Sequence, residues 1–135
     1  MGKIGKILLV DDDEITCFIN RNMLENMEVA TQIEAVHDGR QALQYVKGKF
    51  IGTTNPNYDT DLLFLDLNMP VMNGFEFLEE LSKWGDIDRN RLKIIILTSS
   101  ANKKDAEEVA QYNELVSGYI TKPLQAEKLR KFMYA

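Results

Sequence analysis

The most constraining feature of the chain is Leu62-Leu63-Phe64-Leu65-Asp66-Leu67-Asn68-Met69-Pro70, an apolar run that delivers one carboxylate and then halts at a proline. Apolar residues at successive positions, rather than at alternate ones, mark a strand buried on both faces, as in parallel sheets covered by helices above and below. Asp66 is therefore expected at the exposed C-terminal rim of a central strand, where open α/β sheets place their ligands. A lone acid there could equally cap the next turn or helix. Three further runs add weight to the first reading. Lys6-Ile7-Leu8-Leu9-Val10 leads into Asp11-Asp12-Asp13, Leu92-Lys93-Ile94-Ile95-Ile96-Leu97 into Thr98-Ser99-Ser100, and Val116-Ser117-Gly118-Tyr119-Ile120-Thr121 into Lys122-Pro123. In a parallel sheet these ends lie along one rim and gather acids, a hydroxyl and an ammonium.

Helical patterns alternate with the strands. Asp13 or Glu14 can cap a helix to about Met27, with Ile15, Ile19, Met23 and Met27 at helical spacing. A strand from Ala30 to Val36 turns at His37-Asp38-Gly39 into a helix from about Arg40 to Phe50, with Ala42, Leu43 and Val46 inward. Ile51 to Asp61 has turn chemistry and no period, as does polar Gly85 to Arg91. Between them, Phe75 to Trp84 reads as a helix with Phe75, Leu78 and Leu81 apolar. The helix from about Lys103 to Tyr112 is mostly charged and carries few apolar anchors, mainly Ala106, Val109 and Ala110, so its hold on the sheet is expected to be the weakest. A closing helix from about Gln125 turns Leu129 and Phe132 inward. Five strands alternating with five helices specify a doubly wound α/β fold.

At 135 residues and 44% hydrophobic content, the chain is expected to form a single domain over 1–135, with no output domain within that length. A net charge of -5 argues against general affinity for nucleic acid or an anionic membrane. The lone Cys17 can form no internal disulfide, and no apolar run approaches the roughly 18 residues of a membrane span. A soluble cytoplasmic protein is expected.

Asp11, Asp12 and Asp66 offer hard oxygen ligands and no soft one, a set suited to Mg²⁺ rather than zinc. Without a cation they repel one another. A magnesium with open water positions handles phosphate, and beside it an ammonium at Lys122 and a hydroxyl at Thr98 could each meet a phosphoryl oxygen. Taken singly, Lys122 is a surface lysine and Thr98 a strand-end hydroxyl. Asp13 reads as a helix cap, His37 as a loop residue, Cys17 as packing, and Met69 and Met72 as loop packing.

The order Asp-Asp, Asp, Thr, Lys-Pro along a five-fold βα chain resembles the receiver domain of two-component response regulators, of the single-domain kind typified by the chemotaxis regulator. The likeness rests on Val10-Asp11-Asp12, on Asp66-Leu67-Asn68-Met69-Pro70 with Asn73-Gly74, on Leu97-Thr98-Ser99, and on Gly118-Tyr119-Ile120-Thr121-Lys122-Pro123. It implies a flavodoxin-like five-stranded parallel sheet of order 2-1-3-4-5 and a cis Lys122-Pro123 bond. By the same resemblance Asp66 accepts a phosphoryl group from a histidine kinase or a phosphotransfer protein. Mg²⁺ would be ligated by Asp12 directly, by Asp11 through water, by Asp66, and by the main-chain carbonyl of Asn68. Lys122 and the main-chain N–H of Ser99 would bind the phosphoryl group, while Thr98 and Tyr119 would act as the switch.

The expected function is thus a signalling module that catalyses only its own phosphorylation and dephosphorylation. It would reach a downstream protein through the 103–135 face, and a phosphorylation-dependent dimer belongs to the same expectation. Direct nucleic-acid or membrane binding does not. Two other classes compete. A magnesium-dependent aspartyl-phosphate phosphatase wants a second carboxylate two residues after the nucleophile, where this chain has Asn68. A nucleotide- or flavin-binding module wants a Gly-rich phosphate loop, and none follows any strand.

Overall fold

A computed structural model describes residues 4–49, 60–84, 91–99 and 102–133. Most of the loops expected at Ile51 to Asp61 and Gly85 to Arg91 lie outside those residues. The elements are β1 (Ile4–Val10), α1 (Glu14–Met27), β2 (Ala30–Val36), α2 (Gly39–Lys49), β3 (Thr60–Leu65), α3 (Gly74–Ser82), β4 (Leu92–Thr98), α4 (Lys103–Val109), a 3-10 turn (Ala110–Tyr112), β5 (Val116–Thr121) and α5 (Ala126–Met133). The five strands form one sheet in the order β2-β1-β3-β4-β5. Every pairing is parallel, with Leu8 beside Leu63 and Leu63 beside Ile94 in the central strands.

Alternation along each strand divides the core into two layers. Leu8, Val10, Leu63, Leu65, Ile94 and Ile96 pack with Ala42 and Val46 of α2 and with Phe77, Leu78 and Leu81 of α3. On the other face Ile7, Leu9, Leu62, Phe64, Ile95 and Leu97 meet Cys17 and Leu24 of α1 and Leu129 of α5. Both faces of β1, β3 and β4 are thus covered, which is why those strands are apolar without a break. Each fully buried leucine or phenylalanine contributes about 1.5–3 kcal/mol.

Two helices depart from their sequence pattern. On α1, Ile15 and Ile19 are 72% and 59% exposed, and the buried row is Cys17, Asn20 and Leu24. A four-residue step advances about 400° on a 3.6-residue helix, so the row Ile15, Ile19, Met23, Met27 slews about 40° per step and meets the core only at its C-terminal end. Met23 and Met27 do pack there. On α4, Val109 is buried but Ala106 and Ala110 are exposed. This helix is seven residues long before it tightens into the 3-10 turn, too short to present a full apolar stripe. Its anchorage is weaker than the three-residue expectation, and Tyr112 adds a bond to Glu79 of α3 at 2.9 Å.

Candidate functional site

The strand order carries the C-terminal ends of β1, β3, β4 and β5 side by side. Asp11 follows β1 directly, and its amide donates to the Val36 carbonyl at 3.1 Å; Asp66 follows β3, and its amide donates to the Val10 carbonyl at 2.9 Å. The ladder therefore continues one residue past each strand and aims two acids at the same place. Asp12 completes the cluster, with one carboxylate oxygen from each acid within 4.8 Å of the others. Asp11 and Asp66 are only 5% and 6% exposed, so Asp66 lies in the floor of the rim and not on its exposed edge as expected. Asp12 alone of the three is exposed.

Lys122 reaches this floor from β5, across the end of β4. Its Nζ is 2.6 Å from Asp11 Oδ2 and 3.5 Å from Asp66 Oδ2, and its main-chain amide donates to the Thr98 carbonyl at 2.7 Å. The Lys122-Pro123 bond is cis, as the resemblance implied. Thr98 is fully buried at the end of β4, whereas Ser99, one residue on, is exposed. Tyr119 is half-buried and packs against the core layer of α2 and α3.

The loop after Asp66 is held tightly. Asn68 donates its amide to Asp66 Oδ1 at 3.4 Å and is exposed. Asn73 and Glu76 form a capping box that starts α3, and the Gly74 amide donates to the Leu67 carbonyl at 3.0 Å. A Cβ on Gly74 would sit 2.5 Å from the Asp66 carbonyl oxygen, so only glycine lets α3 begin this close to the acid. Met72 and Met69 pack against the core, in keeping with a loop-packing role.

Burial pushes the Asp66 carboxyl above its ordinary range; the Lys122 ammonium pulls it back, and Asp11 pushes it up again. Burial also works against the charge on Lys122, but its hydrogen bond to Asp11 and its attraction to both acids prevail, and it is held above the usual lysine value. With all three acids ionised, three negative charges face one positive, a surplus of two. Two like charges 4.8 Å apart at an effective dielectric of 20 repel by about 3.5 kcal/mol, so the cluster favours a divalent cation. Its donors are oxygens only, which fits Mg²⁺.

The flanking residues fall into place around this centre. Asp13 caps α1 by accepting from the Ile15 and Thr16 amides, and the bond from the Thr16 hydroxyl, followed by those from the two amides, holds its carboxyl below the ordinary range. Cys17 is buried, and its thiol is pushed up to about 11 by burial and the neighbouring acids. His37, read from the sequence as a plain loop residue, does sit in the loop after β2, yet its Nδ1 lies 3.0 Å from the Asp11 carbonyl oxygen. Nothing in local sequence marks that contact, because it depends on β2 lying beside β1.

Comparison with known proteins agrees with this geometry. A family model described as response regulator receiver domain matches residues 7–134. The chain is similar to chemotaxis protein CheY-3 of Vibrio cholerae, 31% identical over 131 residues that cover 97% of this chain and 90% of that protein. Among solved structures it resembles a two-component response regulator from Cytophaga hutchinsonii, with a TM-score of 0.82, 27% identity, and coverage of 97% of this chain and 95% of the other. It also resembles the receiver domain of the sensor histidine kinase PA1611 from Pseudomonas aeruginosa, which carries a magnesium ion in its active-site cleft. There the TM-score is 0.73 and the identity 25%, over 95% of this chain and 93% of the other.

Proposed function

The chain belongs to the family of response regulator receiver domains, and from that premise we propose that Asp66 is the residue it phosphorylates. The observation that carries this reading is the convergence of Lys122 on Asp66 and Asp11, with Asp12 alongside. One acid is thereby left beside both a fixed ammonium and a hard-cation donor set. A carboxylate oxygen of Asp66 attacks phosphorus, a new O–P bond forms, and the P–N bond of a donor phosphohistidine breaks, leaving its pair on the imidazole nitrogen. Lys122 meets the charge on the equatorial oxygens. Ser99 donates its main-chain N–H to the same group.

Asp11, Asp12, Asp66 and the Asn68 carbonyl would hold Mg²⁺. When bound, that ion supplies neutralising charge to the phosphoryl oxygens. The order of the acidic motifs along the chain supports reading Asp66 as the acceptor and Asp11 as a ligand. Thr98 and Tyr119 carry the change outward to the 103–135 face, where a downstream protein binds or a second copy pairs. The domain turns over no free metabolite and makes no direct contact with nucleic acid. No described helix is long and apolar enough to cross a membrane. The cytoplasm is the compartment proposed for the module, from its likeness to receiver domains of response regulators.

Incubation with acetyl phosphate and Mg²⁺, followed by intact-mass measurement, tests the assignment. One added phosphoryl group is expected, absent in Asp66→Asn. An unmodified wild type, or an Asp66→Asn protein labelled to the same extent, would remove Asp66 from the role.

A further inference from the structure

Asp11 has every polar group engaged. Its amide donates to the Val36 carbonyl, its Oδ1 accepts from the Asp13 amide at 3.0 Å, and its Oδ2 faces Lys122. Its carbonyl oxygen takes two side chains, Nδ1 of His37 at 3.0 Å and Sγ of Cys17 at 3.5 Å. A carbonyl can only accept, so Nδ1 of His37 carries a hydrogen there, and the Cys17 thiol remains protonated to donate. That carbonyl belongs to the peptide joining Asp11 to Asp12. Among the described residues none forms a hydrogen bond to the Asp12 carboxylate, so the position of that acid follows from the orientation of this peptide.

The brace itself is anchored. The His37 amide donates to Gln41 Oε1 at 2.8 Å, and the Gln41 amide donates to Asp38 Oδ1 at 2.8 Å, which ties the loop after β2 to the first turn of α2. We propose that His37 is a positioning residue for the divalent-cation site: its Nδ1–H fixes the Asp11–Asp12 peptide and so pre-aims the Asp11 and Asp12 carboxylates. This rests on the reading that Asp11, Asp12 and Asp66 hold the cation. Without the brace the peptide can rotate, and the cation must restore the order itself at the expense of affinity.

The test is calorimetric titration of the full chain with MgCl₂ at pH 8, together with the ¹⁵N resonances of the imidazole in metal-free protein. His37→Ala and His37→Phe are expected to bind Mg²⁺ about three- to tenfold more weakly, the range that one lost hydrogen bond represents. His37→Asn places an amide N–H near the Nδ1 position and is expected to restore binding to within about twofold of wild type. The wild-type imidazole is expected to carry its hydrogen on Nδ1. A packing role would give the opposite order, with phenylalanine rescuing and asparagine not. Equal affinity across the four proteins, rescue by phenylalanine, or an unprotonated Nδ1 overturns the inference and leaves the cation site intact. Failure of wild type itself to bind Mg²⁺ at millimolar concentration overturns the cation site and this inference with it.

Discussion

Asp66 holds a carboxylate where burial opposes ionisation, and this sets how the protein answers to pH. Because its value in the fold is raised, its contribution to stability is whole below the ordinary value of 3.8 and is lost as pH rises through the raised value. Ionised Asp66 is therefore a burden on the metal-free protein at neutral pH. Asp66→Asn is expected to raise the melting temperature near pH 7 by a few degrees, roughly what 1 kcal/mol produces in a domain of this size. That gain should vanish by about pH 3, where Asp66 is protonated in both states. Calorimetric scans across pH check it, and a destabilised Asp66→Asn protein at pH 7 would contradict it. The same burial serves the chemistry, since a charge partner such as Lys122 acts more strongly in a site with little water.

At the scale of elements, α1 and α4 are the unusual ones. The N-terminal half of α1 exposes Ile15, Phe18 and Ile19, with Phe18 at 66%, and Ile19 and Thr16 line a groove of about 310 Å³ with Lys122, Pro123 and Leu124. On the proposed role of Asp66, a protein donor would lie over this rim, and this apolar flank is what it would meet. Phe18→Ala is expected to slow transfer from a phosphorylated partner by about tenfold or more, as loss of a buried aromatic anchor does. Labelling by acetyl phosphate, which needs no docking, should be unchanged. Equal loss with both donors would place Phe18 in the fold and not in recognition. On α4 the burial of Val109 is nearly the whole apolar anchorage, and the proposed switch at Thr98 would act on this weakly held helix. Thr98→Ala is expected to accept phosphate yet lose the protection changes that beryllofluoride, a phosphoryl mimic, induces in amide exchange from Lys103 to Ile120. Protection confined to the Asp66 loop in the unsubstituted protein would refute the coupling.

Over the whole molecule, one cation would join acids from the ends of two neighbouring strands, so its binding should register as global stability. Millimolar Mg²⁺ at about ten times its Kd is expected to add roughly 1.4 kcal/mol, or about 3–6 °C in the melting temperature. Asp12→Ala should blunt that response without lowering metal-free stability, since it removes a repelling charge from an exposed position. A melting curve indifferent to Mg²⁺ would count against the site. Much of this was legible in the chain itself. Unbroken apolar runs declared the buried strands, Asp13 its cap, and the acids, hydroxyl and ammonium their places at strand ends, because hydrophobic period and capping are local properties. The gathering of Lys122 with Asp11 and Asp66 followed from strand ends that share one rim of a parallel sheet, and the order of the motifs and the family resemblance supplied the roles. Tertiary structure alone decided the rest. It turned Ile15 and Ile19 outward and Asn20 inward, since the helix face that is buried depends on how the helix crosses the sheet. It also sank Asp66 below the rim and set His37 against the Asp11 carbonyl. These are contacts between strands far apart in sequence, and only the order of the strands in the sheet makes them neighbours.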